Sequence, residues 1–190
     1  MSVESKQAIR KRLLDYRKSM LAEEVAEKSK KIVDRILATD SYMNSACIFA
    51  YVSTRNEVNL KALLEASWLS GKRVAVPRVC GSNMDFYYIE SYAGLVKGSF
   101  GIYEPADNAV KAEEKDALVL IPGVAYARDG SRIGYGGGYY DRYLAQNNSH
   151  HIIAPAYDFQ IIAHISTEEH DIRADEIICE SDCIISRKND

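Results

Sequence analysis

The chain has 190 residues, 47% of them hydrophobic and 27% charged, with a formal net charge of −3 and a pI near 5.9. This length can bury a core without disulfide staples. The composition excludes disordered, fibrous and membrane classes, and the charge gives no whole-chain case for binding nucleic acid or anionic lipid.

No apolar run approaches the ~18 residues of a membrane span, and the N-terminus is polar and charged, so neither a span nor a leader is expected. A cytoplasmic, monomeric protein with a single domain over residues 1–190 is expected. Cys47, Cys80, Cys179 and Cys183 form no C-x-x-C pair, and His150, His151, His164 and His170 offer no H-E-x-x-H, so no zinc site is expected. Cys47 and Cys183 lie in apolar runs and read as buried, inert thiols.

In chain order, residues 1–18 carry six basic residues against two acidic ones, net +4 on a chain whose remainder is −7. Ile9, Leu13, Tyr16 or Arg17, and Met20 follow helical spacing. Its cations are either a solvated face or, for one or two of them, contacts to an anionic ligand. A second helix carries Val25, Ile32, Val33, Ile36 and Leu37 on one stripe.

Residues 46–52 (ACIFAYV) read as a strand buried on both faces. Asn59 caps a helix through Leu60, Leu63, Leu64 and Trp68, and Gly71 ends it. Residues 73–79 (RVAVPRV) complete a parallel strand–helix–strand unit. Residues 84–90 read as a strand, 93–115 mostly as loop, and 117–121 (ALVLI) as a core strand stopped by Pro122 and Gly123. A glycine-rich loop, a helix over 139–146 and strands over 151–156 and 183–186 follow. The alternation predicts an α/β fold: a three-layer αβα sandwich with a largely parallel, mixed central sheet, Rossmann-like.

Residues 121–144 (IPGVAYARDGSRIGYGGGYYDRYL) hold six of the 11 glycines and five of the 13 tyrosines. Gly134, Gly136, Gly137 and Gly138 precede a helix, so unobstructed backbone N–H groups can hold phosphate oxygens at its N-terminus. Arg132 can add a charged fork to the same anion. Asp141, in the first helical turn, is either an acid stabilised by the helix dipole or a Mg²⁺ ligand beside bound phosphates. No Lys-Ser/Thr follows the glycines as in a P-loop, and Tyr139 stands where a dinucleotide fingerprint needs its last glycine.

The run RIGYGGGYYDRYL (residues 132–144) after IPGVAYARDG (121–130) resembles the signature of the 5-formyltetrahydrofolate cyclo-ligase family, also called methenyltetrahydrofolate synthetases. Supporting segments are the K-x3-R of Lys6 and Arg10, AYVSTRNEVN (50–59), VPRV (76–79) and HDIRADEI (170–177). The resemblance implies a fold similar to that of sugar-phosphate isomerases and CoA transferases. It also implies ATP- and Mg²⁺-dependent cyclisation of 5-formyltetrahydrofolate to 5,10-methenyltetrahydrofolate, with ADP and phosphate released. Phosphorylation of the N5-formyl oxygen and attack by N10 is the implied route. Implied ATP contacts are Lys6, Gln7, Ala8, Ile9, Arg10, Arg132, Ile133, Gly134, Tyr135, Gly136, Gly137, Gly138, Tyr139 and Tyr140, with Lys6 and Arg132 catalytic. Val52 and Glu57 are implied for the folate, which shares residues 135–140 with ATP, and Asp141 and Asp171 for the metal.

Residue chemistry stands beside these assignments. A pterin is flat and hydrogen-bonding, suited to stacking on Tyr with a carboxylate such as Glu57 accepting from its N–H edge, whereas a loop Glu is otherwise a solvated acid. Tyr139, Tyr140 and Tyr143 share helical spacing, so at least one is expected in the core. For Asp171 only the resemblance points past a surface loop. Gly137 departs from relatives that carry a basic residue there, and Ser166 from those with Pro. Competing readings are a phosphate-ligand α/β enzyme that uses no ATP, such as an isomerase or a CoA transferase, and a nucleic-acid module using the basic first helix.

Overall fold

The computed structural model describes residues 4–98, 101–168 and 171–186. His170, the first residue of the 170–177 segment, lies outside the described residues. Helix α1 (Lys6–Ser19) opens on Ser5, whose side chain accepts from Ala8 N, and buries Ile9, Leu13 and Arg17. The ambiguous stripe position is thus taken by Arg17, and Tyr16 faces out. Helix α2 (Ala22–Leu37) buries Ile32, Val33 and Ile36 as the spacing predicts. Helix α3 (Asp40–Asn44), capped by Thr39, is too short for its periodicity to register in sequence.

Strand β1 (Cys47–Ala50), helix α4 (Lys61–Leu69) and strand β2 (Arg73–Cys80) form the expected crossover, with β1 and β2 parallel. Asn59 Oδ1 accepts from Lys61 N at 2.9 Å, and Gly71 closes the helix at φ 76°, a conformation that favours glycine. Next come β3 (Asn83–Tyr88), the hairpin β4 (Leu95–Lys97) and β5 (Tyr103–Pro105), and β6 (Leu118–Leu120). They are followed by β7 (Ala125–Ala127), β8 (Arg132–Ile133), α5 (Tyr139–Gln146), β9 (His151–Pro155), β10 (Ile161–Ile162), β11 (Glu176–Ile178) and β12 (Cys183–Ile185).

The main sheet runs β12-β11-β9-β6-β1-β2-β3. Its five central strands are parallel, and β3 and β12 close the edges antiparallel. Alternate residues feed opposite cores: Ile48, Ala50, Val74, Leu118 and Leu120 meet α2 and α4, while Phe49, Ala75, Val119 and Ile121 meet α5 residues Tyr143 and Leu144. The second outer layer departs from helices alone. Besides α5 it contains a three-stranded sheet, β10-β7-β8, onto which α1 packs Ile9 and Leu13 against Val124, Ala125 and Ile133.

Cys47 is buried as expected, but Cys183 is exposed. On the edge strand β12 only one side meets the core, so Ile184 turns in and Cys183 and Ile185 turn out.

From β1 the chain steps outward to β2, and from β6 it steps the other way through β9 to β11. Strand order therefore reverses between β1 and β6. In open parallel sheets this reversal leaves a crevice at the carboxyl ends of the strands, the usual ligand position.

Candidate active site

A cavity of about 870 Å³ lies at that crevice. Tyr51 and Val52 enter it directly after β1, and Pro122 two residues past the end of β6. The cavity is also lined by Lys6, Arg10, Glu57, Arg132, Ile133, Gly134, Tyr135, Gly136, Gly137, Gly138, Tyr139, Tyr140, Asp141 and Asp171. Two stretches of chain far apart in sequence, the first turns of α1 and the glycine loop, thus converge on one wall. Gln7, Ala8 and Ile9 are not among the lining residues: Gln7 and Ala8 are exposed, and Ile9 packs into the core beneath α1.

The glycine loop is shaped by its backbone. Gly138 is the N-cap of α5 at φ 65°, where a side chain would be strained. The N-terminus of α5 thus lies in the cavity wall, a position that favours an anion. Arg10 Nε donates to Gly134 O at 2.9 Å, tying α1 to this loop. Tyr143 is buried in the core, whereas Tyr139 and Tyr140 are half-buried and line the cavity, dividing the three tyrosines as the spacing predicts.

Charged groups in the wall are paired. Arg132 donates from Nη2 to Asp141 Oδ1 at 2.7 Å and from Nη1 to Pro122 O at 3.1 Å. Lys6 Nζ donates to Asp171 Oδ2 at 3.0 Å and lies 3.7 Å from Glu168 Oε1. Two further donors in residues of this wall, Arg132 Nε and Tyr140 Oη, are buried without a hydrogen-bond partner. Such orphans cost roughly 1–3 kcal/mol each and mark places where a ligand acceptor is expected.

At the other end, Tyr135 Oη donates to Glu57 Oε1, and Glu57 Oε2 accepts from Thr54 N at 2.8 Å. Burial pushes the Glu57 carboxyl above its usual range, against the lowering effect of the Tyr135 and Thr54 bonds and of Arg17. Burial also pushes the phenols of Tyr135 and Tyr140 up, so both remain neutral donors.

Several lining residues are given no individual role by the sequence: Thr54, Arg55, Pro77, Val79, Met84 and Tyr103. Pro77 and Val79 lie toward the carboxyl end of β2, and that position beside the reversal is the signal that could have found them.

Residues 2–180 match the 5-formyltetrahydrofolate cyclo-ligase family. The chain belongs to this family. It is similar to the 5-formyltetrahydrofolate cyclo-ligase of Mus musculus, 30% identical over 93% of this chain and 94% of that protein. The cyclo-ligase of Haemophilus influenzae is 27% identical over 94% and 99% of the two chains. Among solved structures, the 5,10-methenyltetrahydrofolate synthetase of Aquifex aeolicus superposes with a TM-score of 0.86 at 28% identity, covering 97% of this chain and 94% of that one. That of Mycoplasma pneumoniae does so with 0.77 at 26%, covering 94% and 100%. Membership in a cyclo-ligase family sets aside the isomerase and transferase readings.

The resemblance implies Mg²⁺, and the cavity holds oxygen donors of the kind that ion takes. Asp141 and Asp171 offer hard oxygen donors in the same cavity, each already facing a cation. Among the described residues no group of three or more ligating side chains is assembled. Asp141 and Asp171 would therefore hold such a cation only together with oxygens of the substrate.

Proposed function

We propose that this cavity performs the ATP-dependent cyclisation of 5-formyltetrahydrofolate to 5,10-methenyltetrahydrofolate, releasing ADP and phosphate. The observation that carries the reading is the convergence, in one crevice, of a cation-lined glycine loop and a hydrogen-bonded Tyr135–Glu57 pair. The first suits a triphosphate and the second the hydrogen-bonding edge of a pterin.

The chemical obstacle is the formyl oxygen, a poor leaving group. Transfer of the γ-phosphoryl group to that oxygen converts it to phosphate ester. N10 then attacks the activated carbon, the C–O bond breaks with phosphate leaving, and the N10 proton is lost as the ring closes. Positioning and charge neutralisation dominate such a step. Lys6 and Arg132 supply positive charge, the α5 amides hold phosphate oxygens, and Val52, Tyr139 and Tyr140 form walls that restrict water. Glu57 accepts from the pterin and holds its orientation. Asp141 and Asp171 would hold Mg²⁺, which when bound neutralises phosphate charge. No side-chain nucleophile is required.

The same reading takes residues 1–190 as one catalytic unit, a cytoplasmic monomer that engages neither nucleic acid nor membrane. Four unpaired cysteines and the modest charge support it. No helix among the described residues is long and apolar enough to cross a membrane.

The test is the absorbance of methenyltetrahydrofolate formed from 5-formyltetrahydrofolate with and without ATP and Mg²⁺. Product in the complete mixture and none when ATP is omitted is expected. Equal rates without ATP would overturn the reading.

A further inference from the structure

Arg17 stands on the buried stripe of α1, 3% exposed, and does not line the cavity. Neither the ATP nor the folate reading uses it. Burying a guanidinium costs several kcal/mol unless it is well compensated, so its partners are informative. They are not carboxylates. Nε donates to Arg55 O at 3.1 Å and Nη1 to Gly123 O at 3.5 Å, and Cζ lies 5.5 Å from the centroid of the Tyr135 ring. One side chain thereby touches the 54–57 loop, the turn after β6 and the glycine loop.

The 54–57 loop is strained. Arg55 and Asn56 sit at φ 50° and 58°, in the left-handed region that non-glycine residues rarely occupy, at a cost of about 1 kcal/mol or more each. Such strain persists only where neighbours over-determine it. Here α1 and its C-cap Met20 do so three times: the Arg17 bond to Arg55 O, and bonds from Asn56 Nδ2 to Arg17 O at 3.1 Å and Met20 O at 3.2 Å. The residue that follows the strained pair is Glu57. Its carboxylate is held from below by Thr54 N and from the side by Tyr135, whose ring Arg17 covers.

We infer that Arg17, with Asn56, is a positioning residue for folate recognition: it locks the strained loop and the Tyr135 ring so that Glu57 presents its carboxylate to the pterin. This rests on the reading of Glu57 as the folate acceptor. The ionisable groups facing Glu57 are Arg17 from α1, Arg55 from its own loop, and Tyr51, Tyr126, Tyr135, Tyr140 and Tyr157 from the surrounding elements. The tyrosines are neutral near pH 7, so Arg17 and Arg55 provide the positive charge that opposes protonation of Glu57.

The experiment is steady-state kinetics against each substrate, across pH, for wild type, Arg17→Met, Arg17→Lys and Asn56→Gly. Arg17→Met should raise the KM for 5-formyltetrahydrofolate about tenfold, as loss of a charge-assisted contact predicts, with the KM for ATP within about twofold. It should also move the acid limb of kcat/KM for folate to higher pH, because Glu57 loses a cation. Arg17→Lys should return that limb toward wild type while the folate KM stays raised, since an ammonium cannot span the same acceptors. Asn56→Gly keeps Arg17 and tolerates the positive φ, so it reports on the clamp even if Arg17→Met does not fold. It should raise the folate KM alone. Equal movement of both KM values, or an unchanged folate KM in Arg17→Lys and Asn56→Gly, overturns the inference. A wild-type chain that makes no methenyltetrahydrofolate overturns the cyclo-ligase reading, and the inference falls with it.

Discussion

Arg132 Nη2 lies 2.7 Å from Asp141 Oδ1, in a wall where the arginine side chain is 5% exposed and the aspartate 21%. The same carboxylate oxygen accepts from Ile172 N at 3.2 Å, so the pair also ties α5 to the C-terminal segment. The residue proposed to meet phosphate and the residue proposed to meet metal are therefore each other's partners before ligand arrives. In the proposed reading the guanidinium would turn to phosphate and Asp141 would hold Mg²⁺, which would neutralise phosphate charge.

Arg132→Ala should lower turnover by about 10²–10³-fold, the scale for removing a preorganised donor. It should also cost about 3 kcal/mol of stability, because Asp141 loses its partner in a largely buried site. Adding Asp141→Ala should restore part of that stability and none of the activity. A double-mutant cycle in denaturant measures this, and strictly additive losses would show that the pair is not coupled.

The Lys6–Asp171 pair is more exposed, 30% and 20%, so it contributes little to stability. Lys6→Met should leave the thermal midpoint near wild type and raise the KM for ATP about tenfold with the folate KM unchanged. Asp171→Asn should raise the free Mg²⁺ needed for half-maximal rate. Titrations of ATP and Mg²⁺ test both, and an unaltered Mg²⁺ requirement would remove Asp171 from the metal site.

Glu57→Gln should raise the folate KM about tenfold or more, with the ATP KM little changed, since a charged acceptor is lost. Its effect on stability has the opposite sign. The folded-state pKa of Glu57 is raised, so between the ordinary value of 4.5 and the raised one the native state binds more protons than the unfolded state. Stability contributed by this group falls as pH rises through that window. Glu57→Gln should accordingly raise the unfolding temperature at neutral pH, and the gain should fade as pH drops from the raised value toward 4.5. Melting curves across pH decide it, and a variant less stable than wild type at pH 7 contradicts the desolvated carboxylate.

Cysteine reactivity reports the edge of the main sheet. Cys47 and Cys179 are buried, their thiols pushed by burial up to about 12 and about 11. Cys80 and Cys183 are exposed, and the Cys183 thiol is also raised, by partial burial and by Glu176. Alkylation of the native protein followed by mass spectrometry should modify Cys80 first, Cys183 more slowly, and Cys47 and Cys179 only after unfolding. Labelling of Cys47 under native conditions would contradict the position of β1 at the centre of the sheet.

Much of the architecture is legible in the chain because it arises from local pattern. The apolar runs at 46–52, 73–79 and 117–121 form central strands whose residues alternate between the two cores, and the stripe of α2 follows the helical period. The glycine loop is visible because glycine adopts the left-handed turn at Gly138 at the least cost. The β10-β7-β8 sheet is not legible: its strands have two or three residues, too few for a period to register.

The sequence by itself determined the α/β class, the family signature, and the concentration of glycine and tyrosine before α5. Only the tertiary structure decided that Arg17 rather than Tyr16 turns inward, and that Cys183 turns outward. It also decided that Lys6 reaches Asp171, 165 residues away, and that Arg132 is held by Asp141. The physical reason is range. Periodicity and backbone preference act within a few residues, whereas a buried cation is tolerated only where packing brings it carbonyls, a ring or a carboxylate, and those partners come from distant strands of the chain.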